Sequence, residues 1–271
     1  MSKFSIVISE TFGYHFDSIF SGIKDMKKFE ESISFLSKLG YDGVKLPLMI
    51  RYDDLIYVCK NIIPNYNMGV SAIATGHYNS LMKYSLNSLE EPSREKAIEV
   101  ALSGLKLCSI IQAHLIIGLL RGKEFVDNGA FELVEDALKI LDRKALDLNA
   151  TVVLEPLNRY ESSYINTLSE AYKIIEKLGL ERTGILADTF HMNIEEKDLC
   201  ASLKKVKNKI WRIHIADSNR WPPGYGHIDF KLIAKTLKEV GYDKWLAVEC
   251  LQKPSSEKAA VDSIRYLKRI F

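Results

Sequence analysis

Four segments in the second half of the chain carry a run of β-branched and apolar residues into an acid or a histidine. They are Thr151-Val152-Val153-Leu154-Glu155, Gly184-Ile185-Leu186-Ala187-Asp188, Ile210-Trp211-Arg212-Ile213-His214 and Trp245-Leu246-Ala247-Val248-Glu249. Three carboxylates and one imidazole form a donor set that suits a hard or borderline divalent cation. A single such residue would serve equally well as a structural hydrogen-bond acceptor. Four in consecutive strand-like runs are different, because charges gathered in a protein interior need partners or an ion. A cation held there would act on a bound oxygen as a Lewis acid, which is the chemistry of an enzyme.

Each of three following loops adds a polar residue. Glu161 follows in Glu155-Pro156-Leu157-Asn158-Arg159-Tyr160-Glu161, His191 in Asp188-Thr189-Phe190-His191, and Arg220 in His214-Ile215-Ala216-Asp217-Ser218-Asn219-Arg220. Such residues could reach a molecule held on the ion. The structural alternatives are a helix cap for His191 and an ion pair with Asp217 or Asp229 for Arg220.

The elements that must position these groups are legible as a repeating pattern. Strand-like runs begin near Phe4, Gly43, Gly69, Ala113, Thr151, Thr183, Ile210 and Trp245, with amphipathic stretches between them. In Phe131-Glu132-Leu133-Val134-Glu135-Asp136-Ala137-Leu138-Lys139-Ile140-Leu141 the apolar residues recur at three- and four-residue steps, the mark of a helix. A last helix is expected over residues 256–270. Leu39-Gly40-Tyr41-Asp42-Gly43 is echoed by Val240-Gly241-Tyr242-Asp243-Lys244. In each, glycine ends a helix in the left-handed conformation and turns the chain into a strand. Eight strand–helix units predict a parallel sheet closed into a (β/α)8 TIM barrel, one domain over residues 1–271, with its site at the carboxyl ends of the strands. An open doubly wound sheet is disfavoured because Ser9-Glu10-Thr11-Phe12-Gly13 is not a glycine-rich phosphate loop.

Bulk properties narrow the class further. A net charge of +2 gives no electrostatic case for nucleic acid as a partner. The densest basic run, Lys204-Lys205-Val206-Lys207-Asn208-Lys209, is expected to solvate the turn before a strand. Cys59, Cys108, Cys200 and Cys250 show no Cys-x-x-Cys spacing and read as reduced thiols. Strand alternation aims Cys250 away from the barrel interior, opposite to Glu249. Met1-Ser2-Lys3-Phe4 opens no signal-peptide core, and no apolar run is long enough to span a membrane. A cytoplasmic protein is expected.

Residues 151–250 carry a specific resemblance. Leu154-Glu155-Pro156-Leu157-Asn158-Arg159-Tyr160-Glu161, Asp188-Thr189-Phe190-His191-Met192-Asn193-Ile194-Glu195-Glu196 and Asp217-Ser218-Asn219-Arg220 resemble the xylose-isomerase-like sugar isomerases and epimerases. Within them, the ketose 3-epimerases acting on tagatose and psicose look most similar. The first half matches only in its alternation of strands and helices. The resemblance implies one divalent metal held by Glu155, Asp188, His214 and Glu249, with Mn2+ first and Co2+, Mg2+ or Zn2+ behind it. It implies that Glu155 and Glu249 are also the catalytic acid/base pair, and that Glu161, His191 and Arg220 contact the substrate. The partner implied is a small sugar or sugar phosphate, and a homo-oligomer is compatible with the family.

The reaction follows from physical chemistry. Removing the proton beside a ketose carbonyl requires stabilising an enediolate, which a divalent ion does. Carboxylates on opposite faces of the carbon give epimerisation, most simply at C3; a carboxylate working on one face gives aldose–ketose isomerisation, including inosose- or hydroxypyruvate-type variants. His77 and His114, near the third and fourth strands, are candidate pocket residues, with a structural role as the alternative. They also raise the alternative of an apurinic-endonuclease-like zinc phosphodiesterase, which needs an Asp-x-His pair after the seventh strand. Asn219-Arg220-Trp221-Pro222-Pro223-Gly224 lacks that pair, and His227-Ile228-Asp229 reads as the start of a helix. A non-catalytic sugar-binding barrel ranks lower because both Glu155 and Glu249 are present. A phosphate could be held by Gly224 and Gly226, or by Lys253 and Ser255. The segment 221–226 is either a stiff lid or an ordinary loop. Cys108 and Met192 read as packing residues.

Overall fold

Eight short parallel strands form where the sequence places its β-branched and apolar runs: β1 (Lys3–Val7), β2 (Gly43–Pro47), β3 (Gly69–Ala74), β4 (His114–Ile117), β5 (Thr151–Leu154), β6 (Thr183–Asp188), β7 (Ile210–Ile215) and β8 (Trp245–Val248). They follow one another in a closed ring, β1 to β8, so the predicted TIM barrel is the observed fold in this computed structural model. It describes residues 2–7, 23, 25–48, 51–124 and 128–271. The segment Ser9-Glu10-Thr11-Phe12-Gly13 lies outside the described residues.

The chain divides into two compact units, Met1–Ser71 with Ile213–Phe271, and Ala72–Arg212. In the first, β1 pairs with both β2 and β8, with Ile6 opposite Val44 and Val248. In the second, β4 pairs with β3 and β5, and β5 with β6; Ile116 stands opposite Ala74 and Val153. These strands are buried on both faces, which is why they read as continuous apolar runs rather than alternating ones. Ala72, Ile116, Val153 and Leu186 make a buried cluster with Trp211 packed against it. The opposite face, including Leu115, Ile117, Val152 and Leu154, is equally buried.

The helices behave as their patterns require. In the helix Asn128–Asp147, Val134, Ala137, Leu138 and Leu141 are buried, the stripe expected from the sequence. The final helix spans Ser256–Ile270, capped by Ser255, as predicted. Gly40 and Gly241 take positive φ values of 88° and 71°, the left-handed turn that the repeated motif called for. The lysine-rich run crosses a single 3-10 turn into β7, with Lys204, Lys205 and Lys207 exposed. Among the described residues no helix is long and apolar enough to cross a membrane.

Short helices Tyr52–Tyr57, Gly76–Met82 and Thr189–Glu195 were not legible as such. At six or seven residues they show too little periodicity to separate from loops. The four cysteines form no disulfide. Cys250 turns outward to Ser263 of the last helix, and burial raises its thiol to about 12. Cys108 and Met192 are buried packing residues.

Candidate active site

In the second unit, Glu155 directly follows β5, and its backbone N–H donates to the Ile117 carbonyl at 3.0 Å, one step beyond the β4–β5 ladder. Its side chain lies over Gly118, where a Cβ would collide with Oε2. A side chain at position 118 would therefore have to displace the Glu155 carboxylate. Arg121, wholly buried, fixes the same turn. Its guanidinium donates to the carbonyls of Glu155 at 2.9 Å, Tyr164 at 2.5 Å and Gly118 at 3.3 Å. Burial pulls this guanidinium down to about 10, opposed by the neighbouring Glu155 charge.

Asp188 ends β6 and caps the helix Thr189–Glu195. Its Oδ1 accepts from the N–H groups of Phe190 at 2.8 Å and His191 at 3.4 Å. The cap is therefore Asp188 and not His191, whose side chain does something else. Asn158 donates to His191 Nδ1 from its backbone N–H at 3.3 Å and from its amide Nδ2 at 2.7 Å. Two donors aimed at Nδ1 assign that nitrogen as the acceptor, so the ring carries its proton on Nε2. The same amide donates to Glu161 Oε1 at 3.1 Å, while Asn158 Oδ1 accepts from the Tyr160 N–H. One asparagine thus orients two of the three residues, Glu161 and His191, singled out from the sequence.

In the first unit, His214 lies in β7, fully buried, and Glu249 directly follows β8. His214 Nδ1 and Glu249 Oε2 are 2.5 Å apart. Lys45, in the middle of β2 and 5% exposed, reaches the same Oε2 with Nζ at 2.6 Å. Burial alone would raise the Glu249 carboxyl, but His214, Lys45 and Arg220 together hold it well below the usual carboxylate range. Arg220 is half-buried and adopts φ of 60°, an uncommon region for a side-chain-bearing residue. Its N–H donates to the Asp217 carbonyl at 2.8 Å, and its own carbonyl accepts from the Leu251 N–H at 2.6 Å. The positive φ is thus pinned from both sides.

The following loop is braced from within. The buried Asp217 carboxylate accepts from the N–H groups of Ser218, Gly224 and Ile228. The N–H of Tyr225 goes to the Pro222 carbonyl and that of His227 to Ser218 Oγ. Asp217 is therefore a scaffold for this loop. Asp229 caps the helix Phe230–Glu239, as expected for a helix start.

Glu155, Asp188, His214 and Glu249 each offer one ligand atom, and these atoms lie within 4.8 Å of one another. Three carboxylates gathered at such separation call for positive charge among them, of which Lys45 and Arg220 supply part at Glu249. Oxygen donors with one imidazole match Mn2+, Co2+, Mg2+ or Zn2+, so the residues fit a divalent cation. Among the described residues this is the one such group.

His114, read as a pocket or a structural residue, has surroundings that fit the second. It opens β4, and its Nδ1 lies 2.7 Å from Oγ1 of Thr151, which opens β5. Its ring faces Trp211 at 6.5 Å. That is the amino end of the strands, about 10 Å along β4 from the end that leads to Glu155. The strand start read near Ala113 already puts His114 at the opening of this strand. His77 does follow a strand, in the first turn of Gly76–Met82, where its ring tilts against Tyr78 at 4.7 Å. Sequence reasoning missed Lys45, Arg121 and Asn158. A lysine inside Gly43-Val44-Lys45-Leu46-Pro47 was the available signal, since a charge in a strand buried on both faces requires a partner.

The sequence pattern of the xylose isomerase-like TIM barrel family matches residues 33–270. A 3-dehydro-D-guloside 4-epimerase of Escherichia coli K12 is 34% identical over 250 residues, 88% of this chain and 93% of its own. A ketose 3-epimerase of Arthrobacter globiformis is 28% identical over 262 residues, 92% of this chain and 86% of its own. The solved structure of an L-ribulose 3-epimerase superposes with a TM-score of 0.85 at 22% identity, covering 99% of this chain and 94% of that one. These relatives are epimerases, enzymes of the isomerase class. With a closed eight-stranded barrel and a family match over most of its length, the chain belongs to the xylose isomerase-like TIM barrel family.

Proposed function

We propose that the protein is a divalent-metal-dependent epimerase of keto sugars, inverting a carbon beside the carbonyl. The observation that carries this is the convergence of Glu155, Asp188, His214 and Glu249 within 4.8 Å. All four would hold the ion, with Mn2+ the first choice. When bound, the ion supplies Lewis-acid stabilisation of negative charge developing on the carbonyl oxygen. The proton work falls to Glu155 and Glu249, one on each face of the reacting carbon. His191, with its proton on Nε2, donates to a sugar hydroxyl, Glu161 accepts from one, and Arg220 binds the carbonyl end. Residues 1–271 act together as one barrel domain.

The primary reading is C3 epimerisation of a free ketose. Inversion at C4 of a 3-keto glycoside is a second reading, favoured by the relative at 34% identity. Both remove a proton from a carbon next to a carbonyl. Unphosphorylated substrates are favoured because the N–H groups of Gly224, Tyr225, His227 and Ile228 are already committed within their own loop. A phosphate site at this position needs such groups unspent. The zinc endonuclease reading is disfavoured by the placement of His114 and by the single donor group among the described residues.

The test is NMR in D2O with Mn-loaded protein and a panel of ketoses, 3-keto glycosides and ketose phosphates. Deuterium at the inverted carbon with a new epimer is expected. Label at C1 or C2 with an aldose product would replace the epimerase by an isomerase, and no exchange on any sugar would reject both. Chelation followed by dialysis is expected to lower turnover below detection, with Mn2+ restoring it; activity that survives chelation would reject the metal. Arg220→Ala is expected to raise KM by about tenfold or more, the loss of roughly one charge-assisted hydrogen bond. Steady-state kinetics unchanged across the panel would remove Arg220 from the substrate site.

A further inference from the structure

We infer that Lys45 is a positioning residue for Glu249; this rests on the epimerase reading above. Three observations combine. Lys45 sits on β2, a rigid element, with its side chain almost wholly buried. Its ammonium is 2.6 Å from Glu249 Oε2, the distance of a charge-assisted hydrogen bond. Glu249, in turn, stands on the residue after β8, with its N–H donating to the Ile215 carbonyl at 3.0 Å. Backbone and side chain of Glu249 are therefore fixed independently, the first by the strand ladder and the second by Lys45 together with His214, whose Nδ1 lies 2.5 Å from the same oxygen.

The arrangement separates the demands on one carboxylate. A ligand that also moves protons must keep one rotamer as charge on the substrate changes. A cation on the strand across β1, gripping Oε2, supplies that constraint without taking part in the proton transfer. It also competes with any cation in the site for the same oxygen. The two effects have opposite signs: Lys45 aids turnover and slightly opposes metal binding. A residue that only stabilised the fold would move neither in this way.

The experiment uses the full chain with Lys45→Met, which keeps the length of the side chain and removes its charge. Mn2+ affinity is read by calorimetry on metal-free protein, and kcat and KM are read separately on the active sugar. Expected are a kcat lower by about tenfold to a hundredfold with KM within about twofold, and Mn2+ binding equal to or tighter than that of the native protein. Lys45→Gln, which keeps a donor for Oε2 without the charge, is expected to fall between the two in kcat. If Lys45→Met gives no cooperative unfolding transition, Lys45→Gln carries the test alone. An unchanged kcat, or Mn2+ affinity that falls in step with kcat, overturns the positioning role. The calorimetric arm needs no sugar. If the native protein binds Mn2+ but exchanges no sugar proton, the functional reading fails. If it exchanges and Lys45→Met is silent, only Lys45 fails.

Discussion

Glu249→Gln is expected to lower kcat by about 10²–10⁴-fold while leaving most metal binding in place. The amide oxygen can still coordinate, but it cannot accept a proton. The stronger signature lies in isotope exchange. With one base on each face, removing Glu249 leaves the other face served by Glu155. The epimer whose proton faces Glu155 should still exchange with D2O and return without inversion, while the other epimer exchanges only at background. Exchange falling equally from both epimers, with metal binding intact, would show that Glu249 does not serve a face of its own. Near-native turnover would remove it from the chemistry altogether. The variant also leaves Lys45 beside a neutral amide, so some loss of stability is expected to accompany the loss of rate.

Arg121→Met carries the largest expected effect on stability, a loss of about 3–5 kcal/mol. The methionine side chain fills much of the space but donates nothing, so the Glu155 carbonyl loses its guanidinium donor, while those of Gly118 and Tyr164 keep only the backbone N–H of residue 121 at 3.1 Å and Ser162 Oγ at 3.3 Å. One buried acceptor left without its guanidinium donor, two left with a single donor each, and the lost packing of a wholly buried side chain account for the magnitude. The midpoint of urea denaturation measures it, and a loss below about 1 kcal/mol would mean that the three carbonyls find other donors. Turnover should fall as well, because the Glu155 turn and the loop carrying Asn158 and Glu161 are tied to this guanidinium.

The barrel was legible because its strands are short apolar runs at regular spacing, and all eight begin within a residue of where the pattern put them, with β2, β3 and β5 to β8 coinciding outright. The four donors were legible for the same reason: each stands where an apolar run stops. What was not legible depends on pairs far apart in sequence. Lys45 and Glu249 meet because β1 lies between β2 and β8, a consequence of closure and not of any local motif. Arg121 looks like an ordinary surface arginine after Leu119-Leu120 until the loop near Tyr164 covers it. His114 stands at the opening of β4, where the strand start read near Ala113 already put it.

The carboxylate of Asp188 has a second duty, since its Oδ1 holds the first turn of a seven-residue helix that carries His191. So short a helix has little stability of its own and depends on its cap. Capping asks only for an acceptor, and asparagine serves as well as aspartate; balancing a cation asks for negative charge, which asparagine lacks. The two duties are chemically separable although they share one side chain. At this position the alphabet of amino acids lets the scaffold survive a change that the chemistry would not, so Asp188→Asn is expected to leave the barrel folded and His191 in place while weakening the hold on the proposed ion.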